Sequence, residues 1–368
     1  MKTAIIDVSI DCEAFDKYRD NTFFYVVHGD EVVPLSLDLN LRKGISHGEW
    51  SLKHYTIGAG RAADCFILLK KDKTQRCSVD DLVIALNWCM TSDVQLISLS
   101  LGTIEYTDAE KLWSMTKVLY DRGILIVAGA SNEKLLSFPA CFPHCLGVCI
   151  DHTYSSNLKT FSYQERTIDG IEIILSPFIV KNEFIDSNSS ATAFFSGLIA
   201  SREESREEVY KWLMFSSEQF HERNNFSYIL SGIQEDFISD IPIIGIKDMS
   251  EPIQTKFWRK LQELFIRSEY HCLVIDSRNS FTHKENSVYR PCINFDNIDV
   301  SVTEQIELAN KLCRPSIIFV EYSSSADDLV YDYLLCKSGD IYSDLPQIYM
   351  DKCSPQEAFT LLCDYFDN

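Results

Sequence analysis

Short, wholly apolar runs separated by amphipathic stretches set the pattern of the first 200 residues. Residues 4–8, 65–70, 96–100, 124–128 and 146–150 each read as a strand that is apolar on both faces, the signature of a parallel sheet covered on two sides. Between them, residues 79–89 place Val79, Leu82, Val83, Leu86 and Cys89 on one helical face, and residues 109–120 do the same with Leu112, Met115, Val118 and Leu119. This alternation predicts an α/β fold with a parallel sheet, right-handed crossovers and helices on both faces. Further helical stretches follow at 191–200 and, more charged, at 203–215.

Residues 216–240, rich in Ser, Asn, Glu and Asp, predict a connection between one domain at 1–215 and a second, smaller α/β domain at 241–368. The second domain opens with a strand at 241–246, then a helix carrying Phe257, Trp258, Leu261, Leu264 and Phe265. Strands at 272–275 and 317–320 bracket a helix at 306–312. Ser354, Pro355 and Glu357 mark the start of the last helix: a cap, a proline tolerated in the first turn, and the partner of a capping box.

Composition narrows the function. The 368 residues carry a formal net charge of −20, which argues against nonspecific nucleic-acid binding through Lys and Arg; it fits a solubility device first, and would also favour a neutral or basic peptide partner. No apolar run approaches the ~20 residues of a bilayer span, so no membrane is expected. Met1-Lys2-Thr3 leads at once into the first strand, so no signal peptide is expected. The 13 cysteines suit reduced thiols in a cytoplasm. Cys141, Cys145 and Cys149 lie close to His144 and His152, but Pro139 and Pro143 break the segment and Cys149 belongs to an apolar run. Neither a metal nor a cofactor is expected.

Four segments carry candidate chemistry. Ile5-Ile6-Asp7-Val8 is a buried strand ending in a carboxylate, and Ser46-His47-Gly48 sets an imidazole at a helix start. Gln95 to Gly102 and Ile126 to Asn132 are buried strands ending in small residues. Ser100, Leu101, Gly102 and Ala130 would let a peptide backbone approach closely, and Asn132 could donate to a developing oxyanion. Ser187-Asn188-Ser189-Ser190-Ala191-Thr192-Ala193 enters a helix. Taken singly, each is more often a turn or a cap.

Their order, Asp7, His47, Asn132, Ser189, resembles that of the subtilisin-like serine proteases. Ser100-Leu101-Gly102 resembles the family's substrate-binding strand, and Phe138-Pro139-Ala140-Cys141-Phe142-Pro143 its Tyr-Pro-Ala-x-Tyr-Pro turn. Ser189-Ser190-Ala191-Thr192 resembles the core around its nucleophile. The resemblance spans roughly residues 4–213. It implies Ser189 as nucleophile, His47 as general base, Asp7 as the group orienting the imidazole, and Asn132 as an oxyanion donor.

There are departures from the family's pattern. Ser187 and Ala193 stand where it has Gly and Pro, and Trp50 follows close on the base. These changes bear on efficiency and access. The candidate Asp strand begins at residue 4, which implies a compact intracellular endopeptidase of restricted specificity, similar to those that mature ribosomally synthesised, modified peptides. The expected partner is a precursor peptide. The alternative is an impaired subtilisin-like scaffold that binds the peptide for other enzymes. In the second domain, Ile241-Pro242-Ile243-Ile244-Gly245 with Thr255-Lys256-Phe257 faintly resembles a degenerate phosphate loop, lacking the Gly-Lys-Ser/Thr that cradles phosphate. That domain is expected to bind the precursor, a maturation-enzyme partner or another copy of the chain. A nucleotide-driven role through Lys256 is the third reading.

Overall fold

The computed structural model describes residues 1–35, 46–71, 77–152, 161–165, 167, 169–217, 241–248, 252–268, 270–275, 301–322, 331–338 and 345–366. The chain divides into two compact units, Met1–His221 and Glu222–Asn368. The expected connection at 216–240 lies outside the described residues from 218 onward.

In the first unit, β1 (Thr3–Asp7), α1 (Cys12–Tyr18), β2 (Phe23–His28), β3 (Glu31–Pro34), α2 (His47–Ala59) and β4 (Cys65–Leu68) come first. Then follow α3 (Val79–Thr91), β5 (Leu96–Leu99), α4 (Tyr106–Asp121), β6 (Leu125–Gly129) and β7 (Leu146–Ile150). Short strands β8 (Phe161–Tyr163) and β9 (Ile173–Leu175), a hairpin of β10 (Phe178–Val180) and β11 (Glu183–Ile185), and helices α5 (Asn188–Arg202) and α6 (Arg206–Ser216) complete it. Among the described residues the sheet has nine strands, in the order β3-β2-β4-β1-β5-β6-β7-β9-β8. Its centre is parallel, and only the edge strands β3 and β8 run antiparallel to their neighbours. The expected α/β fold is the observed one.

Both faces of the sheet are buried. Ile5, Phe66, Leu96, Val127 and Val148 pack in one cluster with Leu52 and Tyr55 of α2 and Ala191, Phe195 and Ile199 of α5. The alternate residues Ile6, Ile97 and Ile126, which strand alternation points to the opposite face, are buried as well, as are Leu82 and Leu86 of α3 and Leu112 and Leu119 of α4. Each such aliphatic side chain contributes about 1.5–3 kcal/mol on burial.

Helices α2 and α5 approach backbone to backbone. A Cβ on Gly58 would lie 2.2 Å from Phe194 O, and one on Gly197 would lie 2.4 Å from Tyr55 O. Only glycine permits that approach. The first turn of α2 is pinned as tightly: a Cβ on Gly48 would meet Ser9 O at 2.0 Å. His54, on the buried side of α2 at 1% exposure, stacks on Trp50 with ring centroids 5.4 Å apart. Neither of its ring nitrogens has a hydrogen-bond partner among the described residues, and burial pushes its pKa down to about 4.

In the second unit, β12 (Ile243–Ile246), α7 (Pro252–Arg267), β13 (Cys272–Ile275), α8 (Val302–Cys313), β14 (Ile317–Glu321), β15 (Tyr333–Cys336), β16 (Gln347–Tyr349) and α9 (Pro355–Phe366) form a second α/β layer structure. Among the described residues it has five strands, all parallel, in the order β13-β14-β12-β15-β16. Ser354 caps α9: Glu357 N donates to Ser354 Oγ, and Ser354 N donates to Glu357 Oε2 at 2.7 Å. Lys256 is exposed on α7, and residues 249–251 of the expected phosphate-loop region lie outside the described residues.

Gly197→Ala forces the two helix backbones apart and is expected to destabilise the first unit by about 1–3 kcal/mol. An unchanged melting temperature would contradict the close approach. His54 gives a second expectation. Its folded pKa lies below the 6.5 of the free side chain, so its contribution is present above pH 6.5 and is lost as pH falls toward about 4. The loss is on the order of 3 kcal/mol. Denaturant unfolding at neutral pH and near pH 4 is expected to show a smaller fall for His54→Phe than for the wild-type chain.

Candidate active site

The carboxyl ends of three adjacent parallel strands, β1, β5 and β6, carry Asp7, Ser100 and the loop from Ala130 to Asn132. Ligands bind at this end of parallel α/β sheets. Asp7 is fully buried. Its Oδ1 accepts from Val8 N at 2.7 Å, and His47 Nδ1 lies 2.8 Å from Oδ1 and 2.9 Å from Oδ2.

His47 is the first residue of α2. Ser46 caps that helix by accepting from Glu49 N, and Ser46 Oγ donates to Asp11 Oδ2 at 2.7 Å. His47 N donates to Ser9 Oγ and Gly48 N to Ser9 O, so the segment just after Asp7 holds the helix start. The carboxylate requires a proton on Nδ1, which leaves Nε2 free to accept one. The His47 side chain is 41% exposed, so it can reach a bound molecule. Its hydrogen bond to Asp7 raises its pKa above 6.5, against an opposing contribution from burial.

Ser189 is the second residue of α5, and the cap of that helix is Ser187, whose hydroxyl accepts from Ser190 N. First-turn N–H groups have no intrahelical partner and form the positive end of the helix dipole, which favours an oxyanion. Of the adjacent serines, Ser190 is buried at 8% exposure and bonded to Ser187 Oγ at 2.8 Å, whereas Ser189 is half-buried. Ser187 has φ −123°, so losing glycine there costs no backbone strain. Ser189 Oγ donates to Ser100 O at 3.3 Å, and Ser189 and His47 form no hydrogen bond with each other. Rotation of the serine side chain is therefore needed to join them.

The remaining sequence candidates surround this cluster. Ser100 Oγ lies 3.2 Å from Ser51 Oγ and 3.4 Å from Ser189 O. Leu101 is half-buried and Gly102 exposed. A Cβ on Gly102 would lie 2.7 Å from Phe138 O, because Thr103 and Phe138 form an antiparallel bridge beside it. Ala130 is half-buried and Asn132 exposed, on the loop after β6. Trp50 is partly exposed on the first turns of α2, with Lys53 Nζ 4.8 Å from its ring centre.

Two residues have roles that sequence reasoning did not assign. Asn188, just before Ser189, donates from Nδ2 to Ala130 O at 3.0 Å and Ser131 O at 3.1 Å, and its Oδ1 accepts from Ile150 N at 2.8 Å. It ties the Asn132 loop to the start of α5. Ser51 donates to Asp7 Oδ2 at 2.7 Å. Cys141 and Cys145 are buried, and His144 Nε2 lies 2.6 Å from Thr116 Oγ1. Among the described residues, no group of three or more His, Cys, Asp or Glu could hold a metal ion. Among the described residues, too, no helix is long and apolar enough to cross a membrane.

No known protein-family profile matches the chain, and no curated protein matches it. Among solved structures, it is similar to a lanthipeptide protease at 14% identity, covering 59% of this chain and 79% of that one, with a TM-score of 0.42. It is also similar to a cold adapted subtilisin-like serine proteinase at 14% identity, covering 54% of this chain and 73% of that one, with a TM-score of 0.37. Both neighbours are proteases by their descriptions. At such scores no chemistry is carried from them to this chain.

The Asp7–His47 pair makes a direct prediction. With its pKa raised, the His47 imidazole keeps its proton to a pH above 6.5 and loses it as pH rises further. Asp7→Asn removes the stabilising charge and is expected to shift that titration downward. NMR of ring-labelled histidines, assigned with His47→Gln, reads both values. A wild-type His47 titrating at or below 6.5 would contradict the pairing.

Proposed function

We propose that the chain is a serine endopeptidase that cleaves a specific precursor peptide. The single observation that supports this most is the buried Asp7 carboxylate paired with Nδ1 of a solvent-accessible His47. The other support is Ser189, half-buried at the amino end of α5. In this reading Ser189 turns from Ser100 O toward His47, and Nε2 takes the hydroxyl proton as Oγ bonds to the scissile carbonyl carbon. The carbonyl electron pair becomes an oxyanion facing the α5 amino end and Asn132. Its collapse breaks the C–N bond while His47 protonates the leaving amine. Water, deprotonated by the same imidazole, then releases the acyl group and restores Ser189.

The exposed backbone at Gly102 and the half-buried Leu101 and Ala130 fit a peptide laid beside the site. The sequence resemblance to maturation proteases supports the precursor-peptide substrate, and the second unit is the proposed contact for the precursor or a partner enzyme. One observation favours the alternative reading, a scaffold that binds the peptide without cutting it: the Ser189 hydroxyl is engaged by Ser100 O.

A fluorophosphonate probe separates the two. The hydrolase reading expects labelling of wild type and Ser190→Ala but not of Ser189→Ala, with the rate rising as His47 loses its proton above pH 6.5. Absence of labelling in the wild-type chain at neutral and mildly alkaline pH favours the scaffold.

A further inference from the structure

Ser51 sits one turn along α2 from His47 and is buried. Its Oγ lies 2.7 Å from Asp7 Oδ2 on one side and 3.2 Å from Ser100 Oγ on the other. A serine hydroxyl has one proton, and an ionised carboxylate has none to give. Ser51 must therefore donate to Asp7, and it can only accept from Ser100. The protons run one way, from Ser100 to Ser51 to Asp7. The competing acceptor for Ser100, the Ser189 carbonyl, is farther away at 3.4 Å.

We infer that Ser51 is a positioning residue of the active site, holding Asp7 Oδ2 and sharing its charge, so that it sets how firmly His47 keeps its proton. This rests on the serine-hydrolase reading. A short O–H···O⁻ bond is among the stronger hydrogen bonds, and burial strengthens it further. Asp7 divides its charge among Val8 N, His47 Nδ1 and Ser51 Oγ. With Ser51 removed, more of that charge falls on the imidazolium, and His47 gives up its proton at higher pH. A hydroxyl that served only to pack α2 would leave that proton affinity unchanged. The other groups facing the pair stay constant: Lys71, beyond β4, opposes protonation of His47, and the Cys77 thiol has Asp7 among its neighbours. The link to Ser100 also joins the acid of the triad to the strand that contacts the nucleophile.

The test is the rate of fluorophosphonate labelling of the full chain across the histidine titration range, in wild type, Ser51→Ala and Ser51→Thr. Ser51→Ala is expected to slow labelling roughly tenfold. It should also move the acidic limb of the profile upward by about half a pH unit or more. Ser51→Thr keeps the hydroxyl and is expected to return the limb to the wild-type position. If the alanine variant does not fold, Ser51→Cys, a weak donor of similar size, carries the same expected shift. Superimposable limbs in wild type and the donor-deficient variant overturn the role of Ser51 alone. A wild-type chain that is not labelled at Ser189 overturns the hydrolase reading, and this inference with it.

Discussion

The close approach of α2 to α5 is the constraint on which the site depends. Gly58 and Gly197 remove the side chains that would hold the two backbones apart, and Tyr55, Phe194 and Leu198 pack around the contact. Each helix begins with a candidate site residue: His47 on α2 and, one position in, Ser189 on α5. Both helices lie on the sheet face that carries Ile5 and Leu96, beside the strands that end in Asp7 and lead to Ser100. A lateral shift of either helix would carry its first turn away from those strand ends. Gly48 completes the arrangement by letting the His47 turn rest against Ser9, two residues beyond Asp7.

The site at rest has two separate hydrogen-bonded pairs, Asp7 with His47 and Ser189 with Ser100. Asp7 and His47 are joined, the imidazole is set to accept at Nε2, and the serine hydroxyl is held by Ser100 O. Two further polar side chains do the holding. Ser51 secures the carboxylate from the α2 side, and Asn188 fastens the Asn132 loop to β7 and α5 through bonds that its amide can make only in one orientation. A buried network satisfied in this way fixes geometry more than it adds stability.

Much of the first unit was legible in the sequence because its central strands are wholly apolar and its helices α3 and α4 have one clear greasy face. Asp7, His47, Ser100 and Ser189 were legible through their order and flanking small residues. The structure gathers Asp7 with His47 and Ser100 with Ser189, linked through Ser51. Other features were hidden for identifiable reasons. The buried side of α2 includes Gly48, Ser51 and His54, so hydrophobic periodicity does not announce the helix. Strands β8, β9, β10 and β11 are three residues long, too short for an alternation signal. Ser51 and Asn188 look like ordinary polar positions until the fold sets acceptors around them. In the second unit, Ser354, Pro355 and Glu357 announced the last helix because a capping box is local, whereas β15 and β16 depend on distant neighbours for their pairing.

The most direct test is a crystal structure of the chain after reaction with a peptidyl phosphonate. Phosphorus is expected to be bonded to Ser189 Oγ, with the side chain turned away from Ser100 O, His47 Nε2 within hydrogen-bonding distance of the adduct, and the phosphonyl oxygen facing the first turn of α5 and Asn132. An adduct on another residue, or one on Ser189 with His47 still out of reach, would contradict the hydrolase reading.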